Sequence, residues 1–564
     1  MKFLQQSIGE YVDAVVKKIV EQYPEEAGLW MPAAEELRFP YWDWADPKVS
    51  EEGLPPLFYD ETLDIKIPGL GGETKPAKNP FAYFSFDSIP EGFAKFQRDK
   101  NTAHFDEWKR TFRHAPSAPD ASESNIPLLQ EGLKMKAEGI RRQVGTLFAF
   151  RDDRDASKRH MCSLNKGANQ YIEGKAKDQY IFHSSLESVH NAIHGASGGN
   201  GHMSNPDYAA FDPFFFFHHS NCDRLLALWE WCYPQYWMGD GYTVNGKTVN
   251  WTQQIGNRNN NIGNGNCDTI TSSNGGYLSP FMKEDGTYWT GEDTRFLTPD
   301  APGPRKWYSY KEFQGVKVDV DASPEERVKA RGRIMAYYGY DTLTAKNQKI
   351  RGVQHVPVGD FLLPSHYKTR KGFRLFQLQV TLPEFAFNGS YEFELSYARP
   401  GKKDRHIGCV TVFARSDDSA CEACETRRAS SAECHGVIPL PPAFVSEMIL
   451  DSKVDRSQLT AEITADIIKK CLRGELKEST ELLAFANGSG VYTDTTFKRL
   501  RPQLSPSEVT LLSSAVAEDP NDPDVPACSF DWQPHGEVFP VCSSIFLHEC
   551  TTNLPPSRMA GCRL

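Results

Sequence analysis

The sequence predicts a mainly α-helical domain followed by a β-sandwich-like domain. Three observations carry that prediction. Near the start, Ile8, Tyr11, Val12, Val15, Val16, Ile19 and Tyr23 recur at the spacing of an amphipathic helix. Helical runs then alternate with loops rich in Gly, Asn and Pro to about residue 345. From about Val353 to Phe413 the period changes: FRLFQLQVTL, YEFELSYA and IGCVTVFA are short β-rich runs punctuated by Pro, Gly and Asn, as in an antiparallel sandwich.

On these patterns the 564 residues divide into 1–345, 346–450 and 451–564, the last helical over Leu459–Leu472 and then Pro- and Cys-rich without a clear pattern. Within the first unit, Trp251–Gly276 reads as a surface loop. Ser323-Pro324-Glu325-Glu326 offers an N-cap, a first-turn proline and an acidic first turn to a helix ending near Tyr338. A net charge of −11 argues against a nucleic-acid partner, which needs concentrated positive charge. No run approaches the roughly 18 apolar residues of a membrane span, and the opening MKFLQQSIGEYVDAVVKKIV lacks the layout of a signal peptide. Thirteen scattered cysteines, an odd number, point to a reducing, cytoplasmic compartment rather than a disulfide scaffold.

The strongest chemical signal is His190-Asn-Ala-Ile-His194, followed by Phe211-Asp-Pro-Phe-Phe-Phe-Phe-His218-His219-Ser-Asn-Cys-Asp223-Arg224. Residues four apart share one helix face, so His190 and His194 can aim at one ion while a second helix brings a third imidazole. Such a donor set suits Cu, Zn or non-haem Fe. An HxxxH pair alone is as often coincidence on a packed helix, and this one lacks the Glu of a zinc protease.

Taken together, HNxIH, GGxGHM and FDPxFxxHHxNxDR resemble the CuB half of the tyrosinase, catechol oxidase and haemocyanin superfamily. Arg38-Phe-Pro40-Tyr41-Trp42-Asp43-Trp44-Ala45 is similar to the PYWDWA segment between that family's two copper-binding halves, and Trp307-Tyr308-Ser309-Tyr310 resembles its YxY motif. The resemblance implies an α-helical type 3 copper bundle with His190, His194 and His219 as CuB ligands and His218 as their neighbour. Asp223 and Arg224 would orient the site, and Phe214–Phe217 would form a dry wall around it. Glu187 and Asn191 would hold a water that takes the proton of an incoming phenol, against the plainer reading of a surface Glu beside a capping Asn. Gly195 would leave room for a phenol.

Residues of about 350–450 resemble the domain that shields the site in fungal pro-tyrosinases. There Cys421-Glu-Ala-Cys424 fits a CxxC used in copper loading, since soft thiolates favour Cu(I); two surface thiols or a local disulfide is the alternative. Phe413 would be the aromatic plug of the pocket, or simply a core residue of a strand.

No histidine precedes His104, and His104, His114, His160 and His183 lack a CuA-like context. The chain is therefore expected to lack the CuA half, to be truncated at its N-terminus with three further histidines encoded upstream, and to be inactive as it stands. For the complete family site the resemblance implies two Cu ions, with small phenols and O₂ as partners; a homo-oligomer is a separate expectation that the sequence itself does not fix. The implied reaction is oxidation of monophenols and o-diphenols to o-quinones for melanin-type pigment. Catechol oxidase and a non-enzymatic single-copper binder are the competing readings.

Overall fold

The computed structural model describes residues 2–97, 101–149, 185–234, 310–340, 366–399, 401–429, 432–478 and 508–539, with strand segments between 242 and 290 and between 481 and 493. Trp307–Ser309, His160, His183, Cys542, Cys562 and most of the Trp251–Gly276 loop lie outside these residues.

The first part is helical. α1 (Lys2–Gln22) and α2 (Ala27–Glu36) pack together, and α3 (Val49–Glu52) is a single turn. Four longer helices follow: α4 (Ile126–Leu147), α5 (Leu186–Gly198), α6 (Phe214–Cys232) and α7 (Pro324–Tyr337). Their boundaries follow local chemistry. Asn125 caps α4 by accepting from Leu128 N at 3.1 Å, and Ser185 caps α5 by accepting from Ser188 N. α7 begins with a full capping box between Ser323 and Glu326. Gly199 ends α5 in the left-handed region at φ 55°, where a Cβ would lie 2.4 Å from the His114 ring. Side chains from α4 to α7 share one apolar core with Trp42 and Trp44 of the PYWDWA-like segment.

α1 forms as its periodicity predicts, but its stripe is only partly covered: Val16 is buried while Tyr11 is 71% exposed. Small hairpins decorate the helices: β1–β2 (Thr62–Lys66, Thr74–Lys78), β3–β4 (Lys95–Gln97, Thr102–His104), β5–β6 (Tyr242–Val244, Lys247–Val249), β7–β8 (Arg258–Asn259, Asp268–Thr269) and β9–β10 (Tyr277–Met282, Tyr288–Thr290).

The second part contains two five-stranded antiparallel sheets that share one apolar core. The first runs β11 (Lys368–Thr369), β19 (Glu508–Glu518), β12 (Leu375–Pro383), β15 (Glu433–Pro439), with β20 (Cys528–Glu537) also on β19. The second runs β14 (Arg405–Val412), β13 (Tyr391–Tyr397), β16 (Leu472–Glu478), β17 (Glu481–Asn487), β18 (Gly490–Thr493). Between strands lie α8 (Glu422–Ala429), α9 (Pro442–Asp451) and α10 (Ala461–Cys471).

This corrects the division at residue 450. The described part of residues 472–537 is not an irregular tail; it supplies two of the five strands of the first sheet, β19 and β20, and three of the five of the second, β16, β17 and β18. β19 pairs with β12, Leu511 opposite Leu378, and also with β20, Ala515 opposite Phe530, so it is a central strand of the first sheet. Its sequence, EVTLLSSAVAE, is buried almost throughout and rich in Ser and Ala, so it shows neither period-2 alternation nor strong β-propensity.

β14 of the second sheet lies against α4 and α5. Gly139 permits the approach: a Cβ there would stand 2.8 Å from Gly408 Cα and from Ile407 O. Gln143 Nε2 donates to Cys409 O and Val437 O, both at 2.9 Å. The sheet domain is thereby seated over the face of α5 that carries the histidines.

Candidate metal centre

α5 and α6 bring His190, His194, His218 and His219 together, with one nitrogen of each within 4.8 Å of the others. Three of these rings are oriented by hydrogen bonds on one side and converge on the other. His194 Nδ1 lies 2.7 Å from Met203 O, and His219 Nδ1 lies 2.7 Å from Phe215 O. A carbonyl oxygen only accepts, so both Nδ1 atoms carry the proton and both Nε2 atoms present a lone pair. His190 Nδ1 pairs with Asn191 Oδ1 at 2.8 Å in the same sense. The Nε2 atoms meet: His190 to His219 at 2.9 Å and His190 to His194 at 3.1 Å.

Burial first, and the neighbouring imidazoles second, push His194 far below the ordinary histidine range. Burial and then His190 do the same to His219, so both rings stay neutral. Neutral imidazoles with fixed Nδ1–H tautomers and convergent Nε2 lone pairs are what a copper or zinc ion requires. The donor set fits copper.

The other predicted residues fall around this cluster. His218 is fully buried beside the three rings, and among the described residues neither of its nitrogens has a hydrogen-bond partner. Glu187, in the first turn of α5, has Oε2 3.8 Å from His190 Nδ1, and its side chain is 41% exposed. It lines a solvent-open cleft together with Asn191, Thr411 and Phe413. Phe413 stacks on His194 with ring centroids 4.2 Å apart and meets His190 edge-on at 6.2 Å. Gly195 sits where the sheet arrives: a Cβ there would be 3.3 Å from Thr411 Cγ2.

Asp223 accepts from Gln5 Nε2 of α1 at 3.0 Å. Arg224 is buried and donates to Asp43 Oδ2, Asn221 Oδ1 and Tyr338 OH, each at 3.1 Å. It therefore ties the PYWDWA-like segment and the end of α7 to α6. Phe214 and Phe217 are buried against Trp42 and Phe58. Cys421 and Cys424 stand at the start of α8; burial, then the hydrogen bond with Cys421, pushes the Cys424 thiol up to about 11.

Other supports were not predicted. Met203 and Phe215 act through backbone carbonyls, which no side chain advertises, although Met203 belongs to the GGxGHM segment. His114 holds the end of α5: its backbone N–H donates to Gly198 O at 2.7 Å and its Nε2–H to Ala196 O at 2.8 Å. It does so at φ 50°, outside the usual region for a side-chain-bearing residue. Two buried carbonyls of a helix end thus gain partners. His104, Asp106 and Glu107 form a second group of metal-type donors on a turn, with Lys95 Nζ 3.0 Å from Glu107.

The family model for the common central domain of tyrosinase matches residues 17–232. Polyphenol oxidase 4 of Agaricus bisporus is 27% identical over 436 residues, covering 74% of this chain and 60% of that protein. A tyrosinase of Podospora anserina is 28% identical over 352 residues, covering 60% of this chain and 53% of that one. The chain spans about half the length of the curated relatives it matches. In fold it is similar to recombinant mushroom tyrosinase, with a TM-score of 0.57 at 20% identity over 91% of this chain and 79% of that one.

Proposed function

We propose that this chain, whose residues 17–232 match the common central domain of tyrosinase, is a copper-dependent phenol oxidase, converting o-diphenols and monophenols to o-quinones with O₂. The convergence of three Nε2 atoms at 2.9 and 3.1 Å carries this reading. His190, His194 and His219 hold the copper, which supplies electron transfer between phenol and O₂ when bound. Met203 O, Phe215 O and Asn191 Oδ1 keep the three rings aimed and neutral. Glu187, which lines the cleft, accepts the phenolic proton through a water. Phe413 occupies the face of His194 where a phenol ring would stack, so the sheet domain acts as a shield that must shift before substrate enters. Cys421 and Cys424 take up Cu(I) on its way to the histidines.

A second reading, a one-copper binding protein, is favoured by the single histidine cluster among the described residues. A type 3 centre needs two clusters to clamp two ions. One experiment separates the readings. The full chain is loaded with copper, and bound metal and catechol and tyrosine turnover are measured in the wild type and in His194→Ala. Copper binding and turnover that both vanish in the mutant support the oxidase. Binding that vanishes in the mutant without wild-type turnover supports the binder. Full, tight binding in His194→Ala overturns both.

A further inference from the structure

We propose that His218 is a fourth imidazole donor, so that the copper centre of this chain is a four-histidine site. The proposal rests on the copper reading above and extends it to a residue that the resemblance treats as a bystander. Four observations carry it. His218 is 0% exposed, so water does not reach its ring from the surface. Neither Nδ1 nor Nε2 has a hydrogen-bond partner among the described residues. A buried imidazole with both nitrogens unpartnered loses its hydration without compensation, which folded proteins rarely tolerate. Third, a nitrogen of His218 lies within 4.8 Å of the nitrogens of His190, His194 and His219.

The fourth observation is the wall around it. Its ring is 4.9 Å from His190, 4.8 Å from His194 and 4.7 Å from His219. The remaining ring neighbours are Phe214, parallel at 6.2 Å, and Trp44 at 6.0 Å. The three ligand rings have their Nδ1 atoms tied to oxygen acceptors; His218 has no such tether among the described residues. An ion at the convergence of the other three would satisfy one nitrogen of His218 and fix its tautomer. Four neutral imidazoles are a donor set that suits Cu(II) as well as three do.

The test loads the full chain with one equivalent of Cu(II). Bound imidazoles are then counted by pulsed EPR and by X-ray absorption, in the wild type and in His218→Phe, which fills the same space without a donor. Four imidazoles in the wild type and three in the mutant, with copper affinity weakened at least ~10-fold, is the expected result. Three in both proteins overturns the fourth donor and leaves the three-histidine copper site standing. No stoichiometric copper site in the wild type, or one that survives in His194→Ala, overturns the copper reading itself. If His218→Phe does not fold, the wild-type count alone decides.

Discussion

His190, His194 and His219 are each set by an acceptor that cannot donate, and the convergence of their Nε2 atoms follows from those bonds. The same logic applies to the residues that cover and brace it. Phe413 stacks on His194 at 4.2 Å and is only partly buried. Phe413→Ala should therefore cost about 1–3 kcal/mol, at or below the range for a core phenylalanine, while opening the cluster. Faster binding of azide to the copper-loaded mutant by stopped flow is the expected outcome; an unchanged rate would mean that Phe413 does not gate the site. His114 donates twice to the end of α5, so His114→Ala should destabilise the fold by about 1–3 kcal/mol, measured by urea unfolding. The two kinds of residue were unequally visible in the sequence. His190 and His194 could be read from their i, i+4 spacing, and Phe413 from the family resemblance. His114 could not, because nothing around it in the sequence marks a left-handed backbone that reaches a helix more than 80 residues away.

At the scale of elements, the decisive contact is between α4 and the second sheet, and it is made by charge as well as by close packing. Lys136 Nζ lies 2.6 and 2.8 Å from the two carboxylate oxygens of Glu392 and 3.3 Å from Glu394. Lys477 Nζ lies 2.5 Å from Glu394. Burial pushes Glu392 up to about 7, whereas Lys136 and Lys477 overcome the burial of Glu394 and hold it far below the usual carboxylate range. A buried cluster of this kind is costly to break from one side. Lys136→Met should lose about 3–5 kcal/mol, and adding Glu392→Leu should recover much of the loss, because Glu394 keeps Lys477. A double mutant no more stable than the single one would show that the network is not what Lys136 serves. The sequence could not announce this contact, since α4 and β13 are 256 residues apart at Lys136 and Glu392. β12, β13 and β14 were legible as short β-rich runs, whereas β19 was masked by its Ser and Ala content.

For the molecule as a whole, the distribution of buried neutral histidines predicts how stability responds to acid. Burial pushes His114 and His202 in the helical part, and His406 and His435 in the sheet part, down to about 4. Unfolded, each would titrate near 6.5. Between these values the unfolded chain holds a proton that the folded chain does not, so stability rises with pH across the window and is lost as pH falls from about 6.5 to 4. Each histidine contributes a slope of up to ~1.4 kcal/mol per pH unit. Glu392 opposes them, because its raised value lets the folded state hold a proton between about 4.5 and 7. One group against four leaves the sign unchanged, and in the copper-free chain the depressed His194, His218 and His219 add to the four. Two histidines realised in full would amount to several kcal/mol, comparable with the net stability of a domain. Urea midpoints of the copper-free chain should thus be nearly flat above pH 7 and fall steeply below 6.5. His202 tests the cause. Its Nδ1 accepts from Phe112 N at 3.1 Å, its Nε2 has no partner among the described residues, and its ring sits among Phe86, Phe105 and Trp108. His202→Phe should flatten the dependence by about one histidine's share while keeping the aromatic packing. A wild-type midpoint that does not move between pH 7 and 5 would mean that these rings are charged or solvated in the folded protein.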